Sequence, residues 1–171
     1  FGTRGRILNW SHGTVGTEQD CLPSSDPAVG IWGPMPGGIN AVAWGADLSK
    51  REGDPADGLL QYALDQGWVV ASADYQPNAT YVVGTMEAAA ILDAARAATQ
   101  LMASEYEDTA PSDYDAVIWG HSQGGHAALW AGQLAETYLA GTSPSKPTGD
   151  ITLVGVAALA PASTNVGQQR H

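Results

Sequence analysis

The sequence predicts an α/β fold, a mostly parallel sheet covered by helices on both faces, and three observations carry that expectation. Short, continuous apolar runs recur at Trp68–Ala73 (WVVASA), Ala116–Trp119 (AVIW) and Ile151–Ala160 (ITLVGVAALA). Strands that read apolar throughout, without polar alternation, belong to sheets buried on both faces. Helical stretches alternate with those runs, so each strand is followed by a crossover and the strands run parallel.

Each element has a local reason. Arg6–Trp10 (RILNW) is a short strand that runs into Ser11-His12-Gly13-Thr14, a polar turn. From Val15 to Pro55 the chain is rich in Gly, Pro, Ser and Asp, a long irregular stretch of the kind that usually serves function. A short helix is expected inside it near Ile39–Ala46. Asp57 is placed to cap a helix over Leu59–Asp65, which Gly67 ends. Thr85–Met102 has no helix breaker, repeats Met86, Leu92, Thr99 and Met102 at helical spacing, and carries alanines suited to close packing on a sheet. Gln123–Ala140 is helical again, with Ala128, Gly132, Ala135 and Leu139 on one face. Thr142–Thr148 reads as a Ser/Pro/Lys linker, and the last strand ends at Pro161.

Composition narrows the function classes. The 171 residues carry a formal charge of −11 from 18 acids and 7 bases, with 44% apolar residues, 21 glycines and 10 prolines. That apolar share supports a packed core and speaks against disorder. Lys50, Lys146 and the arginines form no cluster, which excludes a nucleic-acid groove or an anionic-membrane patch. No run approaches the roughly 20 apolar residues of a membrane span. The first residues show no signal peptide, as expected also of a mature secreted chain. Cys21 is the single cysteine, either a small buried or loop thiol or the half of a bridge to a cysteine elsewhere. Asn78-Ala79-Thr80 and Asn9-Trp10-Ser11 match the glycosylation sequon. No metal cluster or phosphate loop is present, and no cofactor is expected.

The chemistry lies in Gly120-His121-Ser122-Gln123-Gly124-Gly125, a G-x-S-x-G motif between a strand and a helix. A serine at the tip of so tight a turn needs neighbours without side chains, because strand and helix backbones approach on both sides. Ser122 is the candidate catalytic nucleophile. The backbone N–H of Gln123, at the positive end of the following helix, is placed to stabilise an oxyanion. A nucleophilic serine also needs a base and a residue that orients it. None of the four histidines is a convincing base. His121 is the variable residue within the turn, His126 packs under it, His12 shapes the turn after the first strand, and His171 is terminal.

The segments Trp10-Ser11-His12-Gly13-Thr14-Val15-Gly16, Cys21-Leu22-Pro23-Ser24, Ala73-Asp74-Tyr75, Leu92–Ala97 and Trp119–Leu129 together resemble the secretory lipase (LIP-type) family of α/β-hydrolases. The resemblance runs from about Arg6 to Pro161. It implies an α/β-hydrolase fold with a nucleophile elbow and a serine esterase or lipase that forms an acyl-enzyme on Ser122. Gln123 then matches the residue whose N–H serves the oxyanion hole. Asp74 matches the position that supplies its other half, through its backbone N–H or a protonated carboxyl. The His12-Gly13-Thr14 turn is the competing donor, with Gly13 and Thr14 as the alternative oxyanion residues.

Two departures from the family pattern bear on these expectations. The loop after Asp74-Tyr75 is short, Gln76-Pro77-Asn78-Ala79-Thr80, which alters access to the site. In addition, the acid and base of such hydrolases follow the serine on later strands. Asp150 stands at the wrong end of its strand for that role. The triad Asp and His are therefore not identifiable and are expected outside this chain. Residues 1–171 read as the N-terminal part of one α/β-hydrolase domain, with the remaining strands on a C-terminal fragment or a second chain. The expected partner is a small-molecule or lipid ester, in a secreted protein. A non-catalytic module that binds an acyl ligand or a partner chain, and an acyltransferase, are the alternative functions. Acting without acid and base, the chain is expected to be at most a very weak esterase.

Overall fold

The computed structural model describes residues 4–16, 18–25, 59–76, 81–140 and 150–162. Its elements are β1 (Gly5–Ser11), a 3-10 turn at Gln19–Cys21, α1 (Leu59–Asp65), β2 (Val69–Ser72), α2 (Gly84–Glu105), β3 (Tyr114–His121), α3 (Gln123–Ala140) and β4 (Ile151–Leu159). The expected helix near Ile39–Ala46, the Asp57 cap, the linker over Thr142–Thr148, the Asn78 sequon and His171 lie outside the described residues.

The four strands form one sheet in the order β2-β1-β3-β4, every pair parallel. This is the α/β architecture expected from the alternating elements. α2 and α3 pack on each other and on one face of the sheet, where Tyr75, Ile91, Leu92 and Ile118 meet the α3 alanines Ala127, Ala128, Ala131 and Ala135. Alanines let the helices lie close, and the loss of side-chain area is made up by the larger residues between them. α1 covers the other face. There Ala63 meets Leu8, Trp10 and Trp119, with Trp68, Val70 and Val117 at the rim. The parallel register sets Trp10 beside Trp119, their rings 4.7 Å apart and tilted, and Arg6 lies 5.5 Å over the Trp68 ring. Trp10, Trp68 and Trp119 thus line the α1 side of the sheet.

Local detail refines several expectations. α1 keeps its expected bounds and ends where Gly67 adopts a left-handed φ of 73° and its N–H donates to the Leu64 carbonyl. The β2 run is shorter than Trp68–Ala73, while α2 and β3 each extend beyond the predicted residues. The buried stripe of α2 is Gly84, Glu87, Ala88, Ile91, Leu92, Ala95, Arg96 and Thr99, and Met86 stands outside it at 36% exposed. On α3 the buried line is Ala127, Ala128, Ala131 and Ala135, with Gly132 exposed.

β4 also differs. Its apolar run led to an expectation of burial on both faces, yet Ile151, Leu153 and Gly155 alternate with exposed Thr152, Val154 and Val156. β4 is the edge of the described sheet and α3 covers one of its faces. A bulge opposite Ala116 and Val117 breaks the alternation, so Leu153 packs into the core while Val156, although exposed, stands against Gly132 of α3. Cys21 closes the 3-10 turn as a half-buried free thiol packed against Gly16. Asn9 of the first sequon is buried on β1, its amide donating to the Ile91 carbonyl at 2.7 Å. Among the described residues, no helix is long and apolar enough to cross a membrane.

Candidate active site

Because every strand is parallel, the ends of β1, β2, β3 and β4 all lie at one rim of the sheet. The chain leaves β1 toward β2 on one side and passes from β3 to β4 on the other, so the order reverses between neighbours β1 and β3. In open α/β sheets the crevice outside the carboxyl ends at such a reversal is where ligands bind. The turns that follow these two strands carry the candidate residues.

Ser122 sits between the last residue of β3 and the first of α3 with φ +57°, a left-handed conformation that costs a side-chain-bearing residue free energy. Surrounding hydrogen bonds hold it there. The Ser122 N–H donates to the Leu159 carbonyl at 2.9 Å, and the Ser122 carbonyl accepts from His126 N–H and Ala162 N–H, each at 3.1 Å. The turn is therefore clamped by α3 and by the end of β4. Its glycines are a steric requirement. A Cβ on Gly124 would run into the Ser11 carbonyl, and one on Gly120 would meet the Gly124 carbonyl and stand 2.9 Å from Ser11 Cβ. Backbone atoms cannot swing aside as a side chain does, so only glycine fits.

The β1 turn arrives from the opposite side. A Cβ placed on Gly13 would be 3.9 Å from Ser122 Cβ and 3.6 Å from the His121 carbonyl oxygen, so the Gly13 backbone borders the serine. Thr14, next along, is exposed. His12 is buried and stacks on Tyr75 with ring centroids 4.2 Å apart, while its Nδ1 donates to the Gly13 carbonyl at 2.7 Å. Burial pushes the His12 imidazole below its ordinary pKa, against the opposing pull of that carbonyl and of the Asp74 charge. His12 is thus a neutral, stacked part of the wall. Tyr75 O–H donates to the His12 carbonyl at 3.1 Å, which ties the end of β2 to the same turn.

Asp74 enters through that strand end, and its carboxylate turns toward the 3-10 segment. Ser24 N–H donates to Asp74 Oδ1 at 3.0 Å, and the Ser24 hydroxyl bonds Oδ2. Both carboxylate oxygens are therefore occupied by Ser24. If Asp74 offers anything to a substrate oxygen, it is the backbone N–H. Gln123 is buried as the first residue of α3, and its side chain reaches away from the turn to Glu87.

His126 is buried one turn into α3, and both ring nitrogens lack a hydrogen-bond partner among the described residues. Burial holds its pKa below the ordinary value. Its ring lies 6.3 Å from Trp130, on the interior side of the helix. Neither buried imidazole, that of His12 or of His126, is hydrogen-bonded to the Ser122 side chain. Among the described residues, no group of three His, Cys, Asp or Glu side chains is placed to hold a metal ion.

Two features escaped the sequence reading. One is Ser24 as the partner of Asp74, a contact across a long irregular stretch that no periodicity reveals. The other is Glu87, fully buried in the first turn of α2. Its signal was present, since Glu87 stands four residues before Ile91 and eight before Ala95 on the apolar stripe, but an acid beside an alanine run passes for a solvated residue.

Comparison with known proteins agrees with this geometry. The profile of the secretory lipase family matches residues 55–169, more than half of the chain. Lipase 4 of Candida albicans is 35% identical over 99 residues, covering 57% of this chain and 21% of the relative. Lipase A of Moesziomyces aphidis is 32% identical over 123 residues, covering 71% of this chain and 22% of the relative. The crystal structure of Candida antarctica lipase A aligns with a TM-score of 0.55 at 30% identity, over 89% of this chain and 29% of that one. The esterase LipA of Xanthomonas oryzae shares the fold at 21% identity and a TM-score of 0.51, over 94% of this chain and 34% of that one. The chain spans about a fifth of the length of the curated relatives it matches. In each of them the matched stretch is part of one longer chain, so the comparison gives no support to a second chain. The sequence motifs, the parallel sheet and the family match converge: this chain belongs to the secretory lipase family.

Proposed function

We propose that the protein is a serine carboxylic-ester hydrolase acting on lipid or small acyl esters, with Ser122 as nucleophile. The observation that carries the reading is the Ser122 turn. A serine held at φ +57° by backbone clamps, between glycines that no other residue can replace, is what an exposed nucleophile on a strand-to-helix elbow requires. Membership of the secretory lipase family supports both the ester-hydrolase class and a place outside the cell.

In this reading Ser122 Oγ attacks the ester carbonyl and gives its proton to a histidine base. That base and its orienting carboxylate are assigned to residues other than the described ones, since neither buried imidazole bonds the Ser122 side chain. Charge then develops on the former carbonyl oxygen. The Gln123 N–H, at the α3 N-terminus, donates to it with the positive end of the helix behind. A second N–H comes either from Asp74 or from the Gly13-Thr14 turn, whose Gly13 backbone borders Ser122. Collapse of the tetrahedral intermediate breaks the bond to the alcohol, which takes the proton from the base, and leaves an acyl-enzyme. Water, deprotonated by the same base, then releases the acid.

The test is Ser122→Ala in the full-length protein, assayed on a short p-nitrophenyl ester. Loss of about 10⁴-fold or more in kcat with an unchanged circular dichroism spectrum is expected, a size typical of removing a serine nucleophile. Unchanged turnover would remove Ser122 from the mechanism.

A further inference from the structure

Glu87 is a carboxylic acid with no exposed surface, on the apolar stripe of a helix, where an acid survives only with partners. One of its oxygens, Oε1, accepts two hydrogen bonds, from Gln123 Nε2 at 2.7 Å and from the Val82 N–H at 2.9 Å. Val82 itself is in the left-handed region, with φ +52°, in the turn that enters α2. The other oxygen, Oε2, has no partner among the described residues. A single carboxyl oxygen therefore joins the start of α2 to the first residue of α3, which directly follows Ser122.

We propose that Glu87 is a positioning residue for the oxyanion site, anchoring the Gln123 side chain so that the Gln123 backbone N–H is held toward the reacting carbonyl. The inference rests on the ester-hydrolase reading above. A main-chain donor at the tip of a strained turn has little to hold it except the clamps around it. The Ser122 clamps fix the serine, whereas the Glu87 bond fixes the residue that follows. Preorganisation matters because the donor stabilises charge only where that charge develops, so a loosened Gln123 lowers kcat while leaving ground-state binding in place. The groups facing Glu87 are the Gln123 amide from α3, the Val82 N–H from the α2 entry, and the Tyr75 phenol from the end of β2. Burial first, then the Glu87 charge, raises the Tyr75 pKa, so the phenol stays neutral.

The test compares Glu87→Leu, Glu87→Gln and Gln123→Ala with wild type in the full-length protein, using steady-state hydrolysis of a p-nitrophenyl ester. Leucine fills the buried site without an acceptor, whereas glutamine keeps an oxygen for both N–H donors and sets its amide nitrogen where Oε2 has no partner. Glu87→Leu is expected to lower kcat by about tenfold or more with KM within about twofold, and Glu87→Gln to recover most of kcat. Should Glu87→Leu fail to fold, Gln123→Ala reads the same hydrogen bond from its other end and is expected to show the same kcat loss. Where both fold, the double variant should lose no more than either alone. Wild-type kcat in Gln123→Ala or in folded Glu87→Leu, or a Glu87→Gln as slow as Glu87→Leu, would overturn the proposal. The underlying reading fails separately, if wild type does not hydrolyse the ester or Ser122→Ala hydrolyses it equally well.

Discussion

The turn after β3 and the strand β4 have comparably apolar surroundings in sequence, yet they differ in what the structure asks of each residue. At the turn, nearly every position is fixed by backbone contact. Gly120 and Gly124 are pressed against neighbouring main chain, Ser122 is clamped through both its N–H and its carbonyl, and Gln123 is tied to Glu87. Along β4 the ladder to β3 fixes the backbone, but much of the side-chain surface stays open, and Val154 is 58% exposed. Residue identity is therefore dictated at the elbow by sterics within a few ångströms, and on the outer face of β4 only by what lies beyond the described residues.

That contrast can be broken or sharpened by substitution. The largest effect is expected at Gly124→Ala, since the added carbon meets the Ser11 carbonyl, a backbone atom that cannot move without shifting β1. Loss of at least about 3 kcal/mol, read as a lower denaturant midpoint, is the expected outcome. A loss below about 1 kcal/mol would show that the elbow is looser than its contacts imply.

An intermediate effect should come from pH. Burial raises the Glu87 pKa from 4.5 to about 7, against the lowering pull of the bonds from Gln123 and Val82. A carboxyl whose folded-state pKa lies above its unfolded value binds the proton more tightly in the folded state. Stability is then greatest below pH 4.5, falls as pH rises toward 7, and levels off above it. The fall traced to this residue should be on the order of 3 kcal/mol and should disappear in Glu87→Gln. Equal pH dependence in the two proteins would mean that Glu87 does not titrate in this window.

The smallest effect belongs to β4. Val154→Thr should change stability by no more than about 0.5 kcal/mol, as for other exposed positions. A loss above about 1.5 kcal/mol would show that residues outside the described ones bury this face, and would bring β4 closer to the elbow in kind.

The same contrast explains what was legible in the sequence. The strand–turn–helix around Ser122 could be read directly, because a tight turn imposes its chemistry on residues adjacent in the chain. α1 and α3 were bounded correctly for a similar reason, as Gly67 and the turn at Ser122 mark their limits locally. Glu87 was not legible as a site residue, because its meaning comes from Gln123, which the fold brings across from another helix. The Asp74–Ser24 pairing was hidden in the same way, fifty residues apart. For β4, an apolar run identified the strand but not which faces are covered, since coverage belongs to neighbouring elements.

The central claim is that Ser122 is the reactive residue, and covalent labelling tests it most directly. The full-length protein would be treated with an alkyl p-nitrophenyl phosphonate and its mass and modified peptide determined. The account predicts one phosphonyl group per chain, located on Ser122, with ester hydrolysis lost in proportion to labelling. A folded, ester-hydrolysing protein that labels elsewhere, or retains its activity when Ser122 is fully modified, would contradict it.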